Sequence, residues 1–337
     1  MILGIESTAH TFGIGIVENG KILANVRKMY TTEKGGIIPL DSAKHHKEHA
    51  PILYKEALEK AGIKEQQIKA IAFSQGPGLA PCLLQGLHFT KELAQKLQLP
   101  VVPVNHCIAH LEIGKITGAK DPVLLYASGA NTQIISYAEG KYRIFGETLD
   151  IGIGNFIDTF ARNAGLGFPG GPKIAELALK CQNQVEVDKK TGGCSYIELP
   201  YSIKGMDVAF SGMQTKLKQL LDKGEKLEDL SFSLQETAFA MLIEASERAL
   251  AHLGKKELLL GGGVACNTRL QEMEKIMCEE RECKMFAPDR SLLVDNAGMI
   301  AYLGEIMFKK GIKETNLDNL DIKPRQRTDD VLVSWKN

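Results

Sequence analysis

The sequence carries no surplus of either charge, since Lys plus Arg and Asp plus Glu each number 41 among 337 residues. A chain without a global field is not drawn as a whole toward nucleic acid, a membrane surface or acidic substrates, so any polyanion must be met by a local patch or with a helper protein. Long apolar runs are missing as well; none approaches the ~20 residues of a membrane span. The opening Met-Ile-Leu-Gly-Ile-Glu-Ser-Thr has no basic stretch and meets an acid at Glu6, unlike a secretory leader. The seven cysteines (Cys82, Cys107, Cys181, Cys194, Cys266, Cys278, Cys283) are odd in number, scattered and free of Cys-x-x-Cys. That pattern argues against a disulfide framework and against a structural zinc site. Together these absences predict a soluble, cytoplasmic protein. Hydrophobic content is 44%, and the length exceeds what one core usually organises, so two domains are expected.

In chain order, Met1 to Ile5 reads as a strand, Glu6 to Thr11 as a small polar turn, Phe12 to Val17 as a second strand, and Asn19-Gly20 as a hairpin leading into Lys21 to Asn25. A segment rich in Gly and His follows, with Gly35-Gly36-Ile37-Ile38-Pro39 and His45-His46. Apolar spacing at Ile52, Leu53, Ala57 and Leu58 then marks a helix up to Ala61-Gly62. Ile68 to Phe73 is a strand, Gln75-Gly76-Pro77-Gly78 a turn, Cys82 to Leu97 a helix and Val101 to Val104 a strand. From Pro122 the opening theme returns: strand Val123 to Tyr126, polar turn Ala127 to Thr132, strand Gln133 to Tyr137, and hairpin Glu139-Gly140-Lys141. Ser7 precedes Gly20 by thirteen residues and Ser128 precedes Gly140 by twelve. A repeated hairpin of this kind predicts a duplicated α/β fold, with domains at 1–121 and 122–337 facing one another across a cleft. One polar turn from each domain would line that cleft, where backbone N–H groups among small residues can approach a phosphate.

Candidate chemistry begins at Val101 to Glu112. If Asn105 caps a helix over 105–112, His106 and His110 lie one turn apart on one face and can share a transition metal. The plain alternative for such a pair is one histidine packed in the core and the other in solvent. Asp295, at a helix start, is an N-cap on that alternative and a third ligand if the histidines bind metal. The run Gly165 to Lys173 leads into a helix Ile174 to Leu179 carrying Glu176, which either holds ribose hydroxyls or is a solvated acid suited to the helix dipole. Glu257 to Leu260 is a strand, Gly261-Gly262-Gly263 a tight turn, and Asn267 begins the helix through Met273. That turn fits a nucleotide site or any close-packed α/β turn. Gln182 to Gly205 reads as a surface loop.

Gly4-Ile5-Glu6-Ser7-Thr8, Asn105-His106-x-x-x-His110, Tyr126-x-Ser128-Gly129-x-Asn131-Thr132, Gly170-Gly171-Pro172, Gly261-Gly262-Gly263-Val264-x-x-Asn267 and Asp295-Asn296-Ala297 occur in order along the chain. In this combination the sequence resembles the TsaD/Gcp family. Asp150-Ile151-x-Ile153-Gly154-Asn155 and Arg327-Thr328-Asp329 are similar to its archaeal and eukaryotic branch, whose members are the catalytic subunit of the KEOPS complex. The resemblance implies the actin, Hsp70 and sugar-kinase (ASKHA) fold. It also implies transfer of threonylcarbamoyl from its adenylate to the N6 amine of an adenosine beside the anticodon of tRNA, releasing AMP. By the same resemblance His106, His110, Tyr126 and Asp295 are ligands of one iron or zinc ion. Tyr126, Ala127, Ser128, Gly129 and Ala130 match the turn that meets the threonylcarbamoyl and phosphate end of the adenylate. Asp158, Gly171, Glu176 and Asn267 match residues around its ribose and adenine. The implied partners are tRNA, a small atypical kinase and a small dimerisation subunit. Two positions depart from the family: Ala130 stands where a second glycine is usual, and Leu40 where an arginine often follows the proline.

No side chain is an obvious general base; His45 and His46 are candidates if folding brings either to the cleft. Two other classes compete. A metalloprotease needs a carboxylate beside its first histidine, and His106 is followed by Cys107. A non-enzymatic actin-like ATPase scaffold would keep the cleft and leave the two histidines without a task.

Overall fold

Both hairpins expected from the sequence form, and each seeds a five-stranded sheet. The computed structural model describes residues 1–32, 36–187 and 194–336. Its first sheet is built from β1 (Ile2–Glu6), β2 (Thr11–Glu18), β3 (Lys21–Met29), β4 (Ala70–Gly76) and β5 (Val101–Asn105), in the order β3-β2-β1-β4-β5. Between them run α1 (Pro39–Ala61) and α2 (Ala80–Leu97), and β5 passes directly into α3 (His106–Ile113). The second sheet uses β6 (Val123–Ala127), β7 (Thr132–Ala138) and β8 (Lys141–Glu147). These are followed by α4 (Ile153–Asn163), α5 (Gly171–Val187), the short ribbon of β9 (Ile203–Lys204) with β10 (Asp207–Val208), α6 (Ser211–Asp222) and α7 (Leu227–Leu253). The chain ends through β11 (Glu257–Gly261), α8 (Thr268–Glu280), β12 (Lys284–Phe286), α9 (Arg290–Leu293) and α10 (Ala297–Lys309).

The second sheet has the order β12-β11-β6-β7-β8, which is the first sheet's order repeated. In each, an antiparallel three-strand meander is extended by two parallel strands from later in the chain. The hairpin tips match in backbone as well: Asn19 and Gly20 have φ of 50° and 76°, Glu139 and Gly140 have 50° and 79°. Paired left-handed residues give the two-residue turn whose twist suits the flanking strands.

Three sequence expectations are corrected. The helix marked from Ile52 begins at Pro39, so His45 and His46 are helical rather than part of a Gly/His-rich segment; Gly35 of that segment lies outside the described residues. Proline suits a first helical position because its missing N–H is not needed there, and exposed Lys44, Lys47 and Glu48 obscure the apolar face of Ala43, His46 and Ala50. Likewise α5 continues past Leu179 to Val187, taking in the start of the expected surface loop, while 188–193 lie outside the described residues. The third correction concerns Cys181 and Cys194, which are joined as a disulfide with Cα atoms 5.0 Å apart. Their spacing of thirteen residues carries no local signal.

α10, from the end of the chain, lies on the first sheet. A Cβ on Gly4 would fall 2.4 Å from the Ala301 amide nitrogen and one on Gly15 2.5 Å from the Ala297 carbonyl oxygen, so the close approach depends on those two glycines. Beside it, α3 and α10 contribute Ile108, Leu111, Met299, Ile300 and Leu303 to an apolar layer shared by Val104 of the first sheet and Leu124, Tyr126 and Leu259 of the second. The two halves therefore meet on these helices. Among the described residues, no helix is long and apolar enough to cross a membrane.

Candidate metal centre and adenylate cleft

The Asn105 side chain accepts a hydrogen bond from the Ile108 amide at 3.1 Å, which is the cap expected from the sequence. The helix it starts is wholly buried, and His106 and His110 stand on one face with ring centroids 4.8 Å apart. Opposite them, Asp295 is free of capping duty because Asn296 takes it, accepting from the Met299 amide at 3.0 Å. Asp295 Oδ1 lies 3.3 Å from His106 Nε2 and 3.5 Å from His110 Nε2. Tyr126, at the end of β6, is buried with its ring centroid 5.0 Å from that of His110.

Electrostatics bind this group together. Burial works against charge on His106, yet Glu6 and Asp295 outweigh it and raise its pKa well above the ordinary value. Burial lowers the pKa of His110. Burial would raise Asp295, but the two neighbouring imidazoles, His106 foremost, hold its carboxyl well below the usual range. Burial raises the Tyr126 phenol well above its normal pKa.

The donor set fits a transition metal. One atom each from His106, His110 and Asp295 lie within 4.8 Å of one another. Neither ring nitrogen of His110 has a hydrogen bond, although both are buried. Two imidazoles and one carboxylate converging around such an orphaned nitrogen make a two-histidine, one-carboxylate set that iron or zinc suits. Asp295, its side chain 17% exposed, is the least buried of the three.

Glu6 is the residue that sequence reading missed. It is fully buried at the end of β1, and its Oε2 sits 2.9 Å from His106 Nδ1, while Oε1 accepts from the Thr8 amide and hydroxyl. A carboxylate on Nδ1 fixes the imidazole with Nε2 aimed at Asp295, the arrangement by which an outer carboxylate orients a metal-binding histidine. The signal was an acid directly after the apolar run Met1 to Ile5, where an unpaired carboxylate is too costly to bury. Behind α3, Glu112 accepts from the Tyr142 hydroxyl at 2.5 Å and from Trp335 Nε1 at 3.1 Å, and pairs with Lys115. Arg27 on β3 donates to the Ser291 carbonyl at 2.7 Å, tying the first sheet to the segment before Asp295.

The turn after Tyr126 is closed by Ser128, whose amide and hydroxyl both bond the Asn131 carbonyl at 2.9 Å. Its carbonyls at Ser128 and Gly129 accept from the Gly154 and Asn155 amides at the start of α4, leaving Gly129 and Ala130 exposed at the tip. Ala130 is not among the residues with positive φ, so its methyl group imposes no backbone strain on this turn. A Cβ on Gly152 would sit 2.4 Å from the Gly129 carbonyl oxygen, which is how α4 comes so close.

Of the residues expected around the adenylate's sugar and base, Asp158 and Gly171 share one loop, since Asp158 Oδ1 accepts from Gly170 N at 2.8 Å. Burial raises the Asp158 pKa against these amide bonds. Gly171 opens α5 with free space where a side chain would be. Glu176 is 68% exposed and paired with Lys180 at 3.0 Å. Asn267 caps α8, accepting from the Arg269 amide at 2.9 Å, and donates to Gln235 at 2.7 Å. His45 and His46 stand outside the metal cluster. The His46 ring packs on Phe12 with centroids 5.4 Å apart and burial pushes its pKa down to about 3; the His45 ring stacks on His49 at 4.1 Å. Leu40 is exposed in the first turn of α1.

Known proteins resemble this chain in sequence and in fold. The family model described as TsaD, tRNA N6-adenosine threonylcarbamoyltransferase, matches residues 21–302. A protein of that name from Thermococcus sibiricus is 54% identical over 334 residues, covering 99% of both chains. A probable bifunctional tRNA threonylcarbamoyladenosine biosynthesis protein from Methanosarcina mazei is 51% identical over 99% of this chain and 59% of its own length. Two solved structures share the fold at low identity. Thermococcus kodakarensis HypF has a TM-score of 0.59 at 13% identity over 92% of this chain and 48% of its own. The 2-hydroxyisocaproyl-CoA dehydratase activator from Clostridium difficile has 0.53 at 12% over 93% and 98%. Neighbours of this kind agree with the duplicated actin-like fold seen in the repeated sheet order. With the family model matched across most of its length, and with a relative so similar from end to end, the chain belongs to the TsaD family.

Proposed function

We propose that this chain transfers the threonylcarbamoyl group of threonylcarbamoyl-AMP to the N6 amine of an adenosine next to the anticodon of tRNAs reading A-starting codons. The observation that carries this reading is the convergence of His106, His110 and Asp295 beside Tyr126, whose strand leads into the Ser128–Asn131 turn with its exposed tip at Gly129 and Ala130. The adenylate is a mixed anhydride, and its carbonyl must be polarised while AMP leaves. Iron or zinc on these residues supplies that polarisation when bound. The residues themselves do the rest. Glu6 holds His106 in one tautomer, the exposed tip of the turn offers backbone amides to the leaving phosphate, and the Asp158–Gly170 loop shapes the sugar side of the cleft. An adenosine in a single-stranded anticodon loop can be unstacked and presented to such a cleft at modest cost.

With 41 basic and 41 acidic residues, the chain alone supplies little of the charge that counterion release requires, so RNA affinity is assigned to a complex with a small kinase and a small dimerisation subunit, acting in the cytoplasm. The experiment is elemental analysis of the purified protein coupled to transfer of labelled threonylcarbamoyl onto unmodified tRNA. One metal per chain and label in tRNA when the partners are added are expected. Full transfer by metal-free protein would overturn the reading, and so would metal-bound protein that hydrolyses ATP but never labels tRNA.

A further inference from the structure

A second cluster of metal-binding side chains lies away from the histidines, where α5, α7 and the segment after Gly193 meet. Cys181 on α5 is buried, Cys194 is partly exposed, and the Asp229 carboxylate in the first turn of α7 is buried against them. One donor atom from each of the three lies within 4.8 Å of the others. Asp229 Oδ1 is 3.8 Å from Cys181 Sγ and accepts from the Ser195 amide at 3.2 Å. A buried acid beside two sulfur atoms is a ready third ligand for a cation. Two cysteines with Cα atoms 5.0 Å apart can close a disulfide, and the same separation lets two thiolates share one tetrahedral ion.

We propose that, once the Cys181–Cys194 disulfide is reduced, these two cysteines and Asp229 bind a thiophilic divalent cation of the zinc class. The site is separate from the histidine centre and interconverts with the disulfide. A small-molecule dithiol reduces the bond, giving two protein thiols and the cyclic disulfide of the reductant. Binding of the cation then displaces two protons, leaving two thiolates and a carboxylate on the ion and a fourth position for water. The structural consequence is local. From Ser195 onward the chain runs along one face of α7, through Ile197 N to Ser233 Oγ at 2.8 Å, Tyr196 to Thr237 at 2.9 Å and Tyr201 to Glu244 at 2.6 Å. Either the disulfide or the cation would pin the start of that segment to α5.

The test uses cadmium as the probe, because its thiolate charge-transfer absorbance reports sulfur ligation directly and does not depend on transfer activity. Reduced full-length protein, freed of reductant, should bind one cadmium ion with this absorbance, and the oxidised protein should show none. Cys181→Ser and Cys194→Ser should each abolish the band, the latter at a partly exposed position where folding is not at risk. Asp229→Asn should weaken cadmium affinity by roughly tenfold or more. His106→Ala should leave the band intact, separating this site from the histidine centre. A band that persists in Cys194→Ser, unchanged affinity in Asp229→Asn, or no band on reduction would each overturn the assignment.

Discussion

The candidate metal corner and the proposed adenylate side of the molecule are built on different principles. Around His106, His110 and Asp295 the buried polar groups answer to one another across the two halves, with Glu6 from β1, the histidines from α3 and the aspartate from before α10. On the adenylate side the polar groups answer to backbone in their own half: Asp158 to Gly170, Ser128 to Asn131, Asn267 to the first turn of α8. The first arrangement exists only when distant parts of the chain have met. The second is local, and leaves exposed main chain as its working surface. Damage should therefore spread in the metal corner and stay contained on the other side.

The comparison is most easily broken with His110→Ala. Loss of an outer partner alone commonly costs 10–100-fold, so loss of a ligand should remove stoichiometric metal and lower transfer by more than about 100-fold. Circular dichroism should stay native, and elemental analysis reads the metal; retention of both metal and activity would mean the site is misplaced. Glu6→Gln comes next. It keeps the shape of the side chain but removes the charge that orients His106, so metal affinity should fall by roughly 10–100-fold, measured by competition with a chelator. An unchanged affinity would demote Glu6 to a packing role.

On the other side, Glu176→Ala should weaken adenylate binding by about tenfold, the worth of one hydrogen bond to a charged group, with metal content intact. Because Glu176 is exposed and its partner Lys180 is on the surface, thermal stability should move by less than about 0.5 kcal/mol. Co-loss of metal in this variant would show that the two regions are wired together. The last effect bears on stability and leaves transfer untouched: it concerns Glu274 on α8, which is fully buried and whose pKa burial pushes up from 4.5 to about 8. The folded state then binds a proton that the unfolded chain releases, so this group's stabilisation is complete below about 4.5 and is lost as pH rises through about 8. Glu274→Gln should flatten that slope in melting curves taken between these limits, and an unaltered slope would refute the assignment.

Sequence reasoning reaches these two regions unequally. The one-face placement of His106 and His110 was legible because helix periodicity and the Asn105 cap are both local, and the duplication was legible because each hairpin advertises itself with a left-handed pair such as Asn19-Gly20. Glu6 was not, since a strand's own pattern cannot say which distant imidazole compensates a buried acid. Asp295 stood between cap and ligand until the structure gave the cap to Asn296. The start of α1 was hidden because charged Lys44, Lys47 and Glu48 alternate with the face that packs. The Cys181–Cys194 pair lies thirteen residues apart, a spacing that encodes no contact by itself.

The seating of α10 on the first sheet also sets an order of assembly during synthesis. A ribosome delivers β1 through α3 well before Asp295, α10 and Trp335, at roughly 5–20 residues per second. During that interval the bare strip at Gly4 and Gly15 has no helix over it, and Glu112 lacks its indole partner. The first half of the chain must therefore wait for these later-made residues to complete it.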